Sequence, residues 1–297
     1  MSLDLNQLRC FVAVAEELHF GRAAQRLNIS QPPVTQRIKR LEDALGVQLL
    51  IRSKRNVLLT GAGSALLEQA RELLKQADVI RSAVHAAQKG QTGTLRAGFF
   101  ATAVFSAAHQ NLLRIVEDLP GVHVRLEEMN SIDQIKALQL GQIDIGLAHT
   151  PIEHHGLHAQ LLTREPALLA VHASHAYATQ KSVTLQQVKA DRFIFPTRFT
   201  APGQYDGIIA ACNTAGFSPL VKHQARHMLT IVGMVSINAG IAFVPKWLRT
   251  CVFPDVVFLE IQGSQPVIEI SILWNPANES PVLARVLRML GYETDGS

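Results

Sequence analysis

"SQPPVTQRIKRLEDALG" (Ser30–Gly46) holds two adjacent prolines and then four apolar residues, Val34, Ile38, Leu41 and Leu45, at spacings of 4, 3 and 4. That spacing predicts a helix with one narrow buried stripe. Ser30 stands at the N-cap position, Pro32 and Pro33 fall in the first turn, where a missing N–H is harmless, and Gly46 ends the helix. At ~100° per residue the far face carries Pro32, Thr35, Gln36 and Lys39, with Arg40 at its flank. Gln, Thr, Lys and Arg are side chains that hydrogen-bond base edges or phosphates.

Working outward, the flanking sequence predicts a small helical domain. Asp4 precedes Leu5, Leu8, Phe11, Val12 and Ala15, an amphipathic pattern with Gln7 placed as in a capping box. "GRAAQRLN" (Gly21–Asn28) offers a second short helix whose paired alanines, Ala23 and Ala24, permit close contact. Two short helices, a tight turn and a third helix with an exposed N-terminal end make a helix-turn-helix. Beyond Gly46, Val47–Ile51 and Asn56–Thr60 read as two strands flanking Arg52, Ser53, Lys54 and Arg55, a hairpin with a basic tip. Periodicity alone also admits a three-helix bundle with a solvated polar face. The charge distribution favours nucleic acid: residues 1–89 hold 13 Lys+Arg against 8 Asp+Glu, and residues 90–297 hold 15 against 16, so the excess of +4 lies in the first third.

The 297 residues, 47% hydrophobic and 18% charged, imply two or three ordinary domains. No long uninterrupted apolar run predicts a membrane span, and Asp4 and Arg9 interrupt the N-terminal apolar run, so neither a membrane partner nor a signal peptide is expected. Three widely spaced cysteines, Cys10, Cys212 and Cys251, fit a reducing, cytoplasmic setting better than a disulfide framework.

Phe11, "RAA" at 22–24, "SQP" at 30–32, "LE" at 41–42, "LG" at 45–46 and "LT..G" from Leu59 to Gly63 form a pattern over the first 63 residues. With it this stretch resembles the winged helix-turn-helix of LysR-type transcriptional regulators. The resemblance implies that Gln31, Pro32, Thr35 and Gln36 face the major groove and that Arg52 meets the DNA backbone. Ser30, Arg37, Lys39, Arg40, Lys54 and Arg55 complete the expected DNA-binding set. The family usually reads Ser-Arg-Gln where this chain reads Thr35-Gln36-Arg37, a displacement that turns the arginine ~100° around the helix, toward phosphate.

Residues 61–89 follow as a linker helix. Leu66, Ala70, Leu73, Ala77, Ile80 and Val84 are spaced 4, 3, 4, 3 and 4, a coiled-coil seam suited to one closely approaching partner helix. The resemblance implies dimerisation here, two winged modules on a pseudo-palindromic double-stranded DNA site, a homotetramer built as a dimer of dimers, and RNA polymerase as a further partner. "KGQTGT" (Lys89–Thr94) reads as a polar hinge.

From Leu95 the pattern alternates strand and helix. "TLRAGFF", "VHVRLEEM" and "IDIGLAH" read as strands around two helices, which predicts a largely parallel sheet. A second unit runs from about Leu162, with "ALLAVHASH", "RFIFP" and "IAFVP" as strands and "TLQQVKA", "QYDGIIAACNTAG" and "MLTIVGMVSINAG" as helices. "QPVIEISILWN" and "SPVLARVLRMLGYE" read as a strand and helix returning to the first unit. The predicted fold is therefore α/β in class: a winged helix-turn-helix over 1–60, a long linker helix over 61–89, and a two-lobed effector domain over 90–297. Lobe I takes about 95–161 and 267–297, and lobe II about 162–266. "G.ID.GL" (141–147) and "AG...VP" (239–245) resemble the family's effector domain, which implies a fold of periplasmic-binding-protein type with a ligand between the lobes.

Thr102 in "GFFATAV" and Ser131 in "EEMNSIDQ" stand where strands give way to helix N-termini, where N–H groups and the helix dipole favour an anion. They are either N-caps or ligand contacts. With His149 and Thr197 they form the candidate effector-binding set, which points to a small organic acid. "AVHASH" and "EEM" resemble regulators that sense benzoate- or muconate-type acids. "AVAEELHFG" and "IDIGLAHTPIEHHGLH" resemble the acetoin- and acetate-sensing branch. Muconate-sensing relatives carry arginine where this chain has His149, and a neutral His holds a second carboxylate less firmly.

No catalytic motif occurs: there is no G-x-S-x-G, P-loop or G-x-G-x-x-G after a strand, so neither an enzyme nor a cofactor is expected. His154 and His158 are spaced for zinc on a helix, but Gly156 interrupts them and no further ligand lies at the right spacing, so no metal is expected. The competing reading is a solute-binding-like or redox-sensing protein whose input is not a small carboxylate, with Cys212 and Cys251 as candidate thiols. Their apolar neighbours favour buried, inert side chains.

Overall fold

The computed structural model describes residues 3–52 and 56–292. The chain divides into two compact units, Met1–Ala86 and Ala87–Ser297.

In the first unit, α1 (Leu5–Glu17), α2 (Phe20–Arg26) and α3 (Gln31–Leu45) pack around Phe11, Ala23, Val34, Ile38 and Leu41, all at or near complete burial. The stripe read from spacing is thus the core face of α3. Asp4 caps α1 by accepting from the Asn6 N–H at 2.8 Å. The expected reciprocal bond from Gln7 does not form, and its Oε1 is buried without a partner. Ser30 does occupy the N-cap position of α3, but its hydroxyl makes no capping bond. A cap accepts from the second or third helical N–H, and those residues are Pro32 and Pro33. α2 is capped instead by a histidine, whose Nδ1 accepts from Gly21 and Arg22: His19.

β1 (Leu50–Arg52) and β2 (Val57–Leu59) pair antiparallel, Leu50 opposite Leu59, as the hairpin reading expected. Thr60 then caps α4 (Gly61–Gln88) by accepting from the Gly63 N–H at 2.9 Å, while donating toward Gln48 and Leu49 carbonyls. Gly63 must be glycine: a Cβ there would stand 2.1 Å from the Leu49 carbonyl oxygen.

The second unit holds two lobes. β3 (Gly93–Phe99), a 3-10 turn (Ala101–Phe105), α5 (Ala107–Glu117), β4 (Val122–Glu128), α6 (Ser131–Gln139), β5 (Ile145–Thr150) and β6 (His158–Pro166) open lobe I. β7 (Leu168–His172), β8 (Ser182–Thr184), β9 (Arg192–Pro196), α7 (Pro202–Thr214), β10 (Leu220–Ala225), α8 (Met228–Ser236), β11 (Ala242–Val244) and β12 (Val256–Gln262) build lobe II. β13 (Val267–Trp274) and α9 (Pro281–Met289) return to lobe I, as the alternation predicted.

The sheet of lobe I runs β4-β3-β5-β13-β6 and is mixed rather than largely parallel. β3 pairs parallel with β4 and β5, whereas the returning β13 lies antiparallel between β5 and β6. Lobe II pairs β11-β7-β12-β8 and, separately, β9 with β10 in parallel. "TLQQVKA" forms turns, not a helix. Gln187 Oε1 accepts from both the backbone and the hydroxyl of Thr184, and bonds such as Gln187 N–H to Thr184 O span only three residues. So short a segment anchored by side chains does not nucleate a helix.

Asp144, 4% exposed, ties lobe I together. It accepts from the Arg96 backbone N–H at 2.8 Å, from the Arg96 guanidinium at 2.7 and 3.1 Å, and from Asn278 at 3.0 Å. Those bonds hold its carboxyl below the usual range despite the opposing effect of burial, which is the largest single influence on it. The stretch read as a hinge, 89–94, is pinned rather than loose. Gly90 is buried so close to α9 that a Cβ would meet the Pro281 carbonyl oxygen at 2.2 Å, and the Gly93 N–H bonds to Gly121 O.

Candidate functional site

The outer face of α3 presents Gln31, Pro32, Gln36, Lys39 and Arg40, all exposed, beside the exposed Ser30. Thr35 is half-buried and donates its hydroxyl back to the Gln31 carbonyl at 3.3 Å. Arg37 departs from the expected set. It is half-buried, and its Nη1 stands 3.7 Å from Cys10 Sγ on α1, so this guanidinium is drawn inward instead of standing free on the polar face. The one-place displacement of the arginine has the consequence that helical geometry demands: position 37 sits next to the apolar stripe at Ile38 and Val34.

Glu42 joins α3 to the wing, a role missed in the sequence. Its Oε1 accepts from the backbone N–H groups of Leu49 and Leu50 at 3.0 and 3.2 Å, and its Oε2 pairs with Arg52 at 2.6 Å. The Arg52 guanidinium also lies 5.4 Å from the centre of the Phe20 ring. The arginine at the base of the wing is therefore held in place by the end of the recognition helix. Lys54 and Arg55 lie outside the described residues.

The α4 seam divides in two. Leu66 and Ala70 pack on the first unit's own core, together with Leu67 and Leu74. Farther along, Leu73, Ile80 and Val84 are 44%, 59% and 62% exposed. The structure thus corrects the seam at its start: Leu66 and Ala70 are covered by their own chain.

In lobe I the side chains of Thr102, Ser131 and His149 come together, and they line a cavity of about 300 Å³. Its wall is built from the starts of four helical segments. Phe100, Ala101 and Thr102 begin the 3-10 turn; Asn130 and Ser131 begin α6; Ala201 and Gln204 begin α7; His227 and Met228 begin α8. Three of these starts, at Phe100, Ala201 and His227, have no side-chain cap. Unsatisfied N–H groups and positive dipole ends therefore gather around one space. At the fourth, Asn130 accepts from the Asp133 N–H at 3.0 Å.

Ser131 is accordingly the first residue of α6 and not its cap. Its Oγ accepts from the His149 N–H at 3.0 Å, which fixes the end of β5 and leaves the hydroxyl proton free to donate. Thr102 is buried but belongs to the short 3-10 turn, so the regular helix expected immediately after it begins only at Ala107. Thr197 does not line the cavity. It bonds to Thr200 across 2.8 Å, and Thr200 is the residue that reaches the wall.

The His149 ring stacks on Phe100 with centroids 4.0 Å apart. Burial pushes its pKa down to about 4, against the opposing pull of a hydrogen bond to the Glu269 backbone carbonyl. The imidazole is therefore neutral near pH 7. Gln134, wholly buried, donates to the carbonyls of Met129 and Leu147 at 3.1 and 2.8 Å and so spaces α6 from β5. Gly146 leaves room for it: a Cβ there would come within 2.8 Å of Gln134 Oε1. Phe100 and Gln204 carry no motif, and only the fold brings them to the cavity wall.

The thiols do not gather at any such site. Cys10 and Cys212 are buried, and burial pushes the Cys212 thiol up to about 11, which suppresses the reactive thiolate. His154 sits in a loop and His158 opens β6, so they do not share a helix. Among the described residues no three His, Cys, Asp or Glu side chains stand together to hold a metal ion.

A helix-turn-helix with a polar outer face, joined to a two-lobed domain with a lined cavity, matches known proteins over nearly its whole length. Residues 5–64 match the bacterial regulatory helix-turn-helix protein, lysR family, and residues 88–294 match the LysR substrate binding domain. The chain belongs to the LysR family. It is 34% identical to the HTH-type transcriptional regulator YnfL of Escherichia coli K12, over 97% of this chain and 98% of that one. It is 33% identical to the HTH-type transcriptional regulator AlsR of Bacillus subtilis 168, over 97% and 95%. The structure of CbnR, a LysR family transcriptional regulator, superposes with a TM-score of 0.85 at 31% identity, covering 96% of this chain and 99% of CbnR. Full-length CbnR complexed with its target DNA gives 0.81, covering 96% and 98% at 30% identity. As a LysR protein the chain is a ligand-responsive, DNA-binding transcriptional regulator and not an enzyme. No helix among its described residues is long and apolar enough to cross a membrane.

Proposed function

We propose that this LysR regulator reads a pseudo-palindromic operator with the exposed face of α3 and senses a small organic anion in the cavity of its second unit. The observation that carries the sensing half is the convergence of helix starts on one cavity, three of them uncapped. Gln31, Pro32, Thr35 and Gln36 enter the major groove. Ser30, Lys39, Arg40 and Arg52 meet phosphates, joined by Lys54 and Arg55, and Arg37 serves mainly to pack α3 on α1. Two copies pair along Leu73, Ala77, Ile80 and Val84, and the exposure of Leu73, Ile80 and Val84 in the single chain supports a helix partner there. A twofold pair explains a twofold operator, and two such pairs make the tetramer. The protein works beside its DNA in the cytoplasm, where RNA polymerase is a further partner. The effector acts by binding two states of the assembly with different affinity.

The test is a titration of operator DNA at several salt concentrations with Gln36→Ala and Lys39→Ala. Gln36→Ala is expected to lower affinity ~5- to 100-fold and relax base preference at one position, with little change in salt slope. Lys39→Ala is expected to weaken all sequences alike and reduce the salt slope by about one. If both variants bind like the unaltered chain, the outer face of α3 is not the DNA-reading surface.

A further inference from the structure

His19 caps α2 through one ring nitrogen and leaves the other unused. Its Nδ1 accepts from the Gly21 and Arg22 N–H groups at 3.0 and 3.2 Å. A ring nitrogen that accepts N–H groups carries no proton, so the neutral imidazole holds its proton on Nε2. Among the described residues no group bonds to that Nε2–H, and the His19 side chain is exposed. The cap thus fixes a free donor in one tautomer and one orientation at the start of α2.

Its neighbours place that donor at the edge of the α3 face. A Cβ on Gly21 would stand 3.0 Å from His19 Cε1 and 3.8 Å from Gln31 Oε1, so the imidazole and the first side chain of α3 flank the same glycine. Ser30, next to Gln31, makes no capping bond, so its hydroxyl is also unengaged. The arginines of α2 turn the other way: Arg22 pairs with Glu17 at 3.4 Å and Arg26 with Glu16 at 2.6 Å, both on α1. In a helix-turn-helix the second helix puts its N-terminal residues into the major groove while the first crosses the backbone. A group on α2 beside the start of α3 therefore meets the strand that borders the groove. The acceptors that strand presents are phosphate oxygens.

From this geometry we infer that His19 is a DNA-contacting residue: Nε2–H donates to a phosphate at the edge of the groove that α3 enters, while Nδ1 holds the start of α2. The contact is uncharged, because the cap uses the lone pair that a second proton would take. It positions the module on the duplex and reads no base. This rests on the reading of α3 as the groove helix.

The experiment is fluorescence anisotropy of the full-length chain on a duplex that it selects from a randomised library, and on a scrambled duplex of equal length. Serine and threonine are good N-caps, so H19S and H19T keep the start of α2 but lack the distant donor; H19A lacks both. Both capping variants are expected to bind the two duplexes ~3- to 10-fold more weakly, as loss of a hydrogen bond to phosphate requires. Their salt slope is expected to match that of the unaltered chain, unlike that of Lys39→Ala, since a neutral donor releases no counterion. Single phosphates are then replaced in turn by neutral methylphosphonate. At one position the replacement is expected to weaken the unaltered chain and to leave H19S unaffected. If H19A alone weakens binding and the capping variants restore it, His19 is only a cap and the inference is overturned. It is equally overturned if every methylphosphonate costs H19S as much as it costs the unaltered chain. Gln36→Ala tests the α3 reading separately: its loss of base preference beside normal binding by H19S would remove the His19 contact alone, and normal binding by both would remove the two readings together.

Discussion

Helix α3 and the cavity of the second unit hold polar side chains in place in opposite ways. α3 does it with one segment. Val34, Ile38 and Leu41 are buried, and Pro32, Gln36, Lys39 and Arg40 on the far side are thereby exposed. The cavity takes residues from Phe100 to Ile231, from both lobes and from the starts of four helical segments. The first site is a matter of periodicity and the second a matter of topology. The two should therefore fail differently when disturbed.

The largest effect is expected from Ile38→Ala. Ile38 is wholly buried in the first unit's core, and truncation at such a site costs ~2–5 kcal/mol. A unit of this size has little more than that in reserve, so operator binding in an electrophoretic or anisotropy assay is expected to disappear. The second unit has its own core. Carboxylate-induced stabilisation, followed by differential scanning calorimetry, is expected to persist in this variant. Its loss would show that the two sites do not fail separately.

The assembled site is sensitive at a distance. Asp144 does not line the cavity, yet it joins β3, the start of β5 and the loop before α9. Asp144→Asn leaves the Arg96 guanidinium without its carboxylate. Breaking a buried pair costs ~3–5 kcal/mol, and because the Arg96 side chain is 36% exposed about 2–3 kcal/mol is expected here. That corresponds to a fall of ~4–12 °C in the melting temperature of the second unit. Ligand affinity is expected to drop with it, whereas operator binding measured without ligand should change little. A variant that lost stability but kept full ligand affinity would show that the cavity is more local than its wall suggests.

The same contrast explains what the sequence disclosed. The α3 stripe, the hairpin and the helical α4 follow from spacing, because their partners lie within a few tens of residues. Ser131 and His149, marked by a strand–helix junction and by resemblance, do line the cavity. Gln204 also lines it, yet nothing in "PGQYDG" marks that side chain for a cavity wall. Thr197 lies outside the lining while Thr200, bonded to it, lies in the wall, a difference of three residues set by the turn between them. Arg37 and Ser30 show a further limit: residue type fitted the expected role, but Cys10 drew one inward and two prolines deprived the other of donors.

The smallest expected effect separates the units by pH. His149 is neutral when folded, with a pKa of about 4, against an ordinary value of 6.5 when unfolded. Between these values the unfolded chain binds the proton and the folded chain does not. Stability is therefore complete above about pH 6.5 and falls as pH drops toward 4. At pH 5.5 one such group removes ~1 kcal/mol. His109, also buried and also shifted down by burial, acts in the same direction. Asp144 does not contribute at pH 5.5, because its carboxyl, with an ordinary value of 3.8 and lowered further by folding, is ionised there in both the folded and the unfolded chain. Denaturant unfolding at pH 7.5 and 5.5 is thus expected to show acid weakening of the second unit, reduced in His149→Phe by about its own share. His149 also stays uncharged down to pH 5.5, so ligand affinity should remain nearly flat over the same range. Affinity that rose steeply on acidification would mean that His149 meets its ligand as a cation, and the cavity would then hold a second negative charge.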